Sequence, residues 1–267
     1  MHPLHRLGRK LARYLSAPRD VVHVSTSRAG LLAATLRKGD VLLVEGNSRF
    51  ATAIRTITQS NWSHAALFIG DTPIPGADPA PRFVEADINA GVRAVPVDAF
   101  ASLHTRICRP VGLYEDEIDA VVAYAVAHIG NQYDLRNVVD LARYLVRPPP
   151  VPERYRRRLL ALGSGDPTRA ICSSLIAAAF ASVRYPVLPD IEVVRATGAG
   201  GAEQAREILH IRDSSLYAPR DFDMSPYFRV VKPTLEHGFD PHRLIWGDAD
   251  DAGTDQVSHA SASGEER

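Results

Sequence analysis

The chain has 267 residues, 45% of them hydrophobic, and its 31 basic residues balance 31 acidic ones. That balance gives no electrostatic case for nucleic acid as a partner, and the length allows one large domain or two small ones with a sizeable core. Two cysteines, Cys108 and Cys172, are too few for a disulfide framework and point to a reducing compartment. No run reaches the ~18 apolar residues that a spanning helix needs, and no apolar signal region follows the basic N-terminus, so a soluble, cytoplasmic protein is the expectation.

Residues 1–20 predict a short basic amphipathic helix. Leu4, Leu7, Leu11 and Leu15 step at three or four, while Arg6, Arg9, Lys10 and Arg13 take other faces. Such a helix either packs on the domain's own core or gives a peripheral membrane contact through residues 1–19. Gly39-Asp40 punctuates the start of a strand at Val41-Leu42-Leu43-Val44, and Phe50 to Thr58 predicts a helix anchored by Ile54 and Ile57 with Ser48 as its cap. Asn61-Trp62-Ser63-His64 then opens an apolar strand that runs to Gly70. His64 stands at the mouth of that strand, flanked by an aromatic residue and a serine.

After a proline-rich loop, Phe83-Val84-Glu85-Ala86 predicts a strand in which Glu85 shares a face with Phe83, because strand side chains alternate. A carboxylate in such a run needs a partner if it is buried. Further strands are expected over Gly91 to Val97 and over Thr105 to Val111, the second carrying Cys108 as a core thiol. Glu115 to Ile129 reads as a helix: acidic residues fill its first turn, Ile118, Val121, Val122, Ala125 and Ile129 form a stripe, and Gly130 stops it. A second helix follows Asn131-Gln132-Tyr133-Asp134 and ends near Tyr144.

The segment at about 147–166 reads as an insertion, opening on Pro148-Pro149-Pro150 and carrying Arg154, Arg156, Arg157 and Arg158. It is either a lid that presents cations or a solvated linker. Gly198-Ala199-Gly200-Gly201 fails the G-x-G-x-x-G pattern at its sixth position, Glu203, and reads as a surface insertion. Asp221 and Asp223 are expected to stabilise a turn through short hydrogen bonds to backbone, and a short strand follows at Arg229 to Val231. From 248 to 267 the chain is polar and acidic, which predicts a disordered tail. With no H-E-x-x-H, paired C-x-x-C or P-loop, neither a metal nor a cofactor is expected.

Leu175, Ile176, Ala179, Phe180 and Val183 recur at helical spacing, and Cys172 falls on their face at the start of that helix. The positive end of a helix favours thiolate over thiol. A thiol nucleophile also needs a base, and a polar group to orient that base. Cys172, His64 and Glu85 supply those residue types.

Gly39 to Val44, Thr58 to Asp71, Val84-Glu85-Ala86 with Gly91-Val92, Tyr133-Asp134 and Ile171 to Ala177 together resemble the circularly permuted papain-like hydrolases, the YiiX/YebB-like branch of the NlpC superfamily. In that branch the histidine strand precedes the cysteine helix, as His64 precedes Cys172. The resemblance implies an α+β fold for residues 21–247, with the cysteine helix packed on a small antiparallel sheet. It implies Cys172 as nucleophile, His64 as general base and then acid, and Glu85 as the orienting group. Tyr133 would be a substrate or oxyanion contact, with Trp62 and Ser63 as further substrate-binding candidates. The implied activity is amide hydrolysis through a cysteine acyl-enzyme, on a small peptide such as a cell-wall fragment or on an acyl-amide. The alternatives are a membrane-associated acyltransferase or acylhydrolase acting on lipid through the same cysteine, and a non-catalytic binding module.

Overall fold

The computed structural model describes residues 29–76, 80, 82–87, 89–131, 171–197 and 203–244. The basic segment at 1–20, Tyr133 with the helix expected after it, the arginine-bearing insertion, the Gly198–Gly201 loop, the 248–267 tail and the side chain of Ile57 all lie outside them.

Six strands form one antiparallel sheet in the order β4-β3-β2-β1-β5-β8. They are β1 (Val41–Glu45), β2 (His64–Gly70), β3 (Arg82–Asp87), β4 (Gly91–Pro96), β5 (His104–Pro110) and β8 (Phe228–Val231). The central strands read as continuous apolar runs rather than alternating ones because both faces of the sheet are covered. On one face Val41, Leu43, Ala65, Leu67, Val84 and Cys108 pack under two helices, α3 (Glu115–Ala127) and α4 (Ile171–Ser182). On the other, Leu42, Val44, Ala66, Phe68, Phe83, Val95 and Ile107 are closed over by Phe100 and by Leu32 of α1 (Ala29–Thr35). With the helices, this sheet makes the described chain an α+β structure, as expected.

α4 is apolar almost all round: Leu175, Ile176, Ala177, Ala179 and Phe180 are all buried. A helix of that kind is held by its surroundings rather than by an amphipathic stripe. Val183, expected on its buried face, is only partly covered.

The turn into β1 shows why a glycine stands there. Gly39 has φ +88°, and an added Cβ would lie 3.1 Å from Cγ2 of Ile118 in α3. Beside it Asp40 is fully buried and takes two hydrogen bonds from Arg109 of β5, Nε to Oδ1 at 2.8 Å and Nη2 to Oδ2 at 2.7 Å. Arg109 Nη2 also donates to the Thr35 carbonyl at 2.8 Å, so one guanidinium ties α1, the β1 turn and β5 together. Burial pushes the Asp40 carboxyl up, and the Arg109 guanidinium works against that rise.

Helix α2 (Arg49–Thr58) starts at Ser48, whose Oγ accepts the Ala51 N–H at 3.0 Å. Three details depart from the sequence expectations. The helix expected to reach Ile129 ends at Ala127. Asp190–Thr197 (β6) and Glu203–His210 (β7) flank the glycine loop and pair antiparallel along their whole length, as a two-stranded sheet separate from the main one. Ile191, Val193, Ile208 and Leu209 of this hairpin are exposed; with charged residues between them and no buried face among the described side chains, the sequence carries no clean alternation to announce these strands. Finally, Asp221 and Asp223 part company. Asp221 accepts the Ala218 N–H at the start of α5 (Pro219–Met224), as a turn residue would, whereas Asp223 takes Arg106 and Trp62 from distant elements.

Candidate active site

Register builds the site. Val44 of β1 faces His64, and Ala66 of β2 faces Glu85 of β3. His64 and Ala66 share a face, so Glu85 lies diagonally across from His64 on that face. His64 Nε2 and Glu85 Oε2 are 2.6 Å apart. This bond occupies Nε2 and leaves Nδ1 for Cys172, to which His64 is also hydrogen bonded. The carboxylate expected to need a partner therefore has the histidine.

It also has a second partner that the motifs did not single out. Arg93 stands directly opposite Glu85 in the β3–β4 ladder, and its Nε and Nη2 lie 2.9 and 2.8 Å from Glu85 Oε1. Opposite charges at such a cross-strand position attract, and here they use the carboxylate oxygen that His64 does not. Arg93 is legible in the sequence only once the β3–β4 register is known.

Cys172 is the second residue of α4. Its sulfur receives hydrogen bonds from His64 and from the backbone N–H groups of Ala65 and Ser173. Two side chains lock the segments that deliver these groups. Ser173 Oγ donates to the Tyr217 carbonyl at 2.9 Å, pinning the start of α4. Ser63 Oγ accepts the Gly46 N–H at 2.9 Å and lies 3.3 Å from the Val44 carbonyl, pinning the chain just before His64. A Cβ at Gly46 would sit 3.1 Å from that hydroxyl, which explains the glycine.

The electrostatics follow from these contacts. Burial pushes the Cys172 thiol up, but the adjacent His64 and the two backbone N–H groups outweigh it and hold the thiol below its ordinary value. Burial likewise lowers His64, and the Cys172 thiolate with the Glu85 carboxylate overcomes it and raises the imidazole to about 10. Glu85 is raised by burial and lowered further by His64 and Arg93, ending below the usual carboxylate range. A thiolate–imidazolium pair is the resting state these shifts favour. Cys108 offers the contrast: burial drives its thiol far up, with Asp223 adding to the rise and the Arg106 cation only partly opposing it. It is a core side chain, fully buried in β5.

A cleft of about 260 Å³ opens beside the pair. Cys172, His64, Ser63, Glu85, Asp87 and Arg93 are polar residues of its lining, as are Asn47 and Ser48, and side chains from β1, α2, β4 and the turn at 97–103 complete it. Trp62 is not among the lining residues. It is buried, its indole N–H donates to Asp223 at 3.0 Å, its ring stacks on His104 at 5.2 Å, and the Arg106 guanidinium lies 5.0 Å from its centroid. Trp62 thus ties the chain just before β2 to β5 and α5. Ser63 reaches the cleft with its hydroxyl already engaged. Among the described residues no group of three or more His, Cys, Asp or Glu side chains is placed to hold a metal ion, and no helix is long and apolar enough to cross a membrane.

Arg93 gives a first test. Replacing it with glutamine is expected to lower kcat about tenfold, a small part of the 10²–10⁴ that acid–base catalysis supplies, with lysine restoring part of the loss. The measurement is the pH–rate profile. An alkaline limb that moves to lower pH marks loosened support of Glu85 and His64, and an unmoved profile would make Arg93 merely structural.

Residues 35–144 match the family described as permuted papain-like amidase enzyme, YaeF/YiiX, C92 family. This span holds His64, Glu85 and Arg93 and stops before Cys172. The probable lipoprotein peptidase YaeF of Escherichia coli K12 is 22% identical over 222 residues, which cover 77% of this chain and 74% of that protein. A crystal structure titled as metalloprotein yiiX from Escherichia coli O157:H7 covers 73% of this chain and 96% of its own at 13% identity, with a TM-score of 0.43, a likeness too loose to argue from.

Proposed function

We propose that this chain, a relative of the permuted papain-like amidases, is a thiol hydrolase that cleaves an amide through a Cys172 acyl-enzyme. The relationship supports amidase- or peptidase-type hydrolysis as the class of reaction. The observation that carries the cysteine mechanism is the chain of contacts from Cys172 through His64 to Glu85. The Cys172 thiolate attacks the amide carbonyl, forming a C–S bond and a tetrahedral oxyanion. The Cys172 backbone N–H, at the positive end of α4, is the donor proposed for that oxyanion. As the intermediate collapses the C–N bond breaks, and His64 gives its proton to the leaving amine. Neutral His64 then takes a proton from water, which attacks the thioester and releases the carboxylic acid. Glu85 holds the imidazole in orientation throughout and balances its charge.

The test is mass spectrometry of the intact protein mixed with a panel of cell-wall peptides, acyl-amides and phospholipids, wild type beside Cys172→Ala. An acyl mass that accumulates on wild type, maps to Cys172 and is absent from the variant is the expected result. Turnover that survives Cys172→Ala would sink the mechanism. Adducts formed only with phospholipids would replace the amide by a lipid ester as substrate.

A further inference from the structure

His64 is the first residue of β2 and Cys172 the second of α4. The ends of strands and helices are where a fold opens at least cost, so a reacting pair built from two such ends needs holding from outside them. One short stretch, 217–224, reaches both. Towards the thiol, the Tyr217 carbonyl accepts the Ser173 hydroxyl at 2.9 Å. Towards the imidazole, Arg220 Nη1 donates to the Thr58 carbonyl at the end of α2, and Asp223 Oδ2 accepts the Trp62 indole N–H at 3.0 Å. Thr58 and Trp62 bracket the turn that delivers Ser63 and His64. The stretch is itself anchored. Tyr217 and Phe222 are buried in the same core cluster as Cys172 and Trp62, and Phe222 meets the Phe228 ring of β8 at 5.6 Å. Arg106 Nη1 of β5 lies 2.7 and 2.8 Å from the two Asp223 carboxylate oxygens.

Resting on the thiol-hydrolase reading, we propose that residues 217–224 are a brace that sets the distance between Cys172 and His64, with Asp223 as its positioning residue on the histidine side. Asp223 acts through Trp62, two residues before His64. The Ala65 N–H, which donates to the Cys172 sulfur, lies on the same run of chain, so the tether governs that donor too. Misplacing reacting groups by about 1 Å costs on the order of a hundredfold in rate. Removing Asp223 has two effects of opposite sign. Loss of its negative charge leaves the Arg106 cation unbalanced, which favours the Cys172 thiolate. Loss of the tether frees His64 and the Ala65 N–H from the sulfur, which disfavours it.

The experiment is iodoacetamide labelling of the full chain against pH, with the adduct mapped to Cys172 by mass spectrometry. Glu85 and Arg93, the charges behind His64, are the same in every variant. Asp223→Leu removes bond and charge together and is expected to move the labelling midpoint up by about one pH unit. Asp223→Asn removes the charge, keeps an oxygen for the indole, and is expected to stay at the wild-type midpoint or fall below it. Trp62→Phe keeps an aromatic ring without the N–H. It should raise the midpoint as well, and adding it to Asp223→Leu should raise it no further, because both remove one contact. A midpoint that is unmoved or falls in Asp223→Leu, an equal rise in Asp223→Asn, or shifts that add in full in the double variant overturn the brace. If Asp223→Leu does not fold, Trp62→Phe decides by the same sign. A wild-type Cys172 that labels only in the range of a free thiol overturns the thiol-hydrolase reading itself. Wild type labelling below that range beside unmoved variants removes the brace alone.

Discussion

Removing the Cys172 sulfur or the His64 imidazole is expected to lower kcat by roughly 10⁵–10⁶, as happens when either member of a nucleophile–base pair that acts as a unit is deleted. The two single variants and the double variant should be nearly equal, because each abolishes the same step. The pH dependence of alkylation reports the cause. In the wild type Cys172 sits below its ordinary value and His64 above its own, so iodoacetamide should label Cys172 well below the range of a free thiol. In His64→Ala, burial acts on Cys172 with only the Ala65 and Ser173 N–H groups against it, and labelling should retreat to alkaline pH. An unchanged labelling profile in His64→Ala would show that no ion pair forms.

The same shifts make a stability prediction with a definite sign. A raised His64 stabilises the fold fully below its unfolded value near 6.5, and this contribution disappears as pH rises through about 10. A lowered Cys172 contributes above its unfolded value near 9, and that contribution is lost as pH falls through the folded one. Because the groups hold each other, their two steps belong to the pair. Thermal unfolding of the wild type should show stability falling as pH rises from about 9 through about 10, and a curve flat across that range would argue against the raised His64.

The largest effect on stability is expected from Arg109. Changing it to methionine strips the fully buried Asp40 carboxylate of its bidentate partner and leaves it with the Arg37 N–H at 2.8 Å. Breaking a buried pair from one side costs about 3–5 kcal/mol, because the charge left behind is uncompensated. Adding Asp40→Asn removes that charge while keeping an acceptor for Arg37, so the double variant should recover at least half of the loss. Denaturant midpoints for the two single variants and the double variant decide the matter. A loss under about 1 kcal/mol for Arg109→Met would mean that water or a neighbour replaces the guanidinium.

Much of the architecture is a local property of the sequence. The apolar runs at 41–44 and 65–69, the Ser48 cap and the acidic first turn of α3 each act on residues within a few positions. They are legible for that reason. The need for a partner at Glu85 was legible too, from the cost of burying a carboxylate. Which partners it has was not, because His64 and Arg93 reach it through strand register, and a slip of one residue would turn every side chain to the opposite face. The two thiols show the same division. Both Cys108 and Cys172 follow an isoleucine and precede a polar residue in the sequence. Only the tertiary structure sets one beside a histidine and two backbone donors while enclosing the other in β5. Trp62 beside His64 looks like part of a site, yet its indole donates to Asp223 of α5, 161 residues away, and stacks on His104 of β5. Sequence determines where strands and helices begin because those signals are short-ranged. It leaves to the fold which side chains meet, because a contact between distant residues is fixed by register and packing.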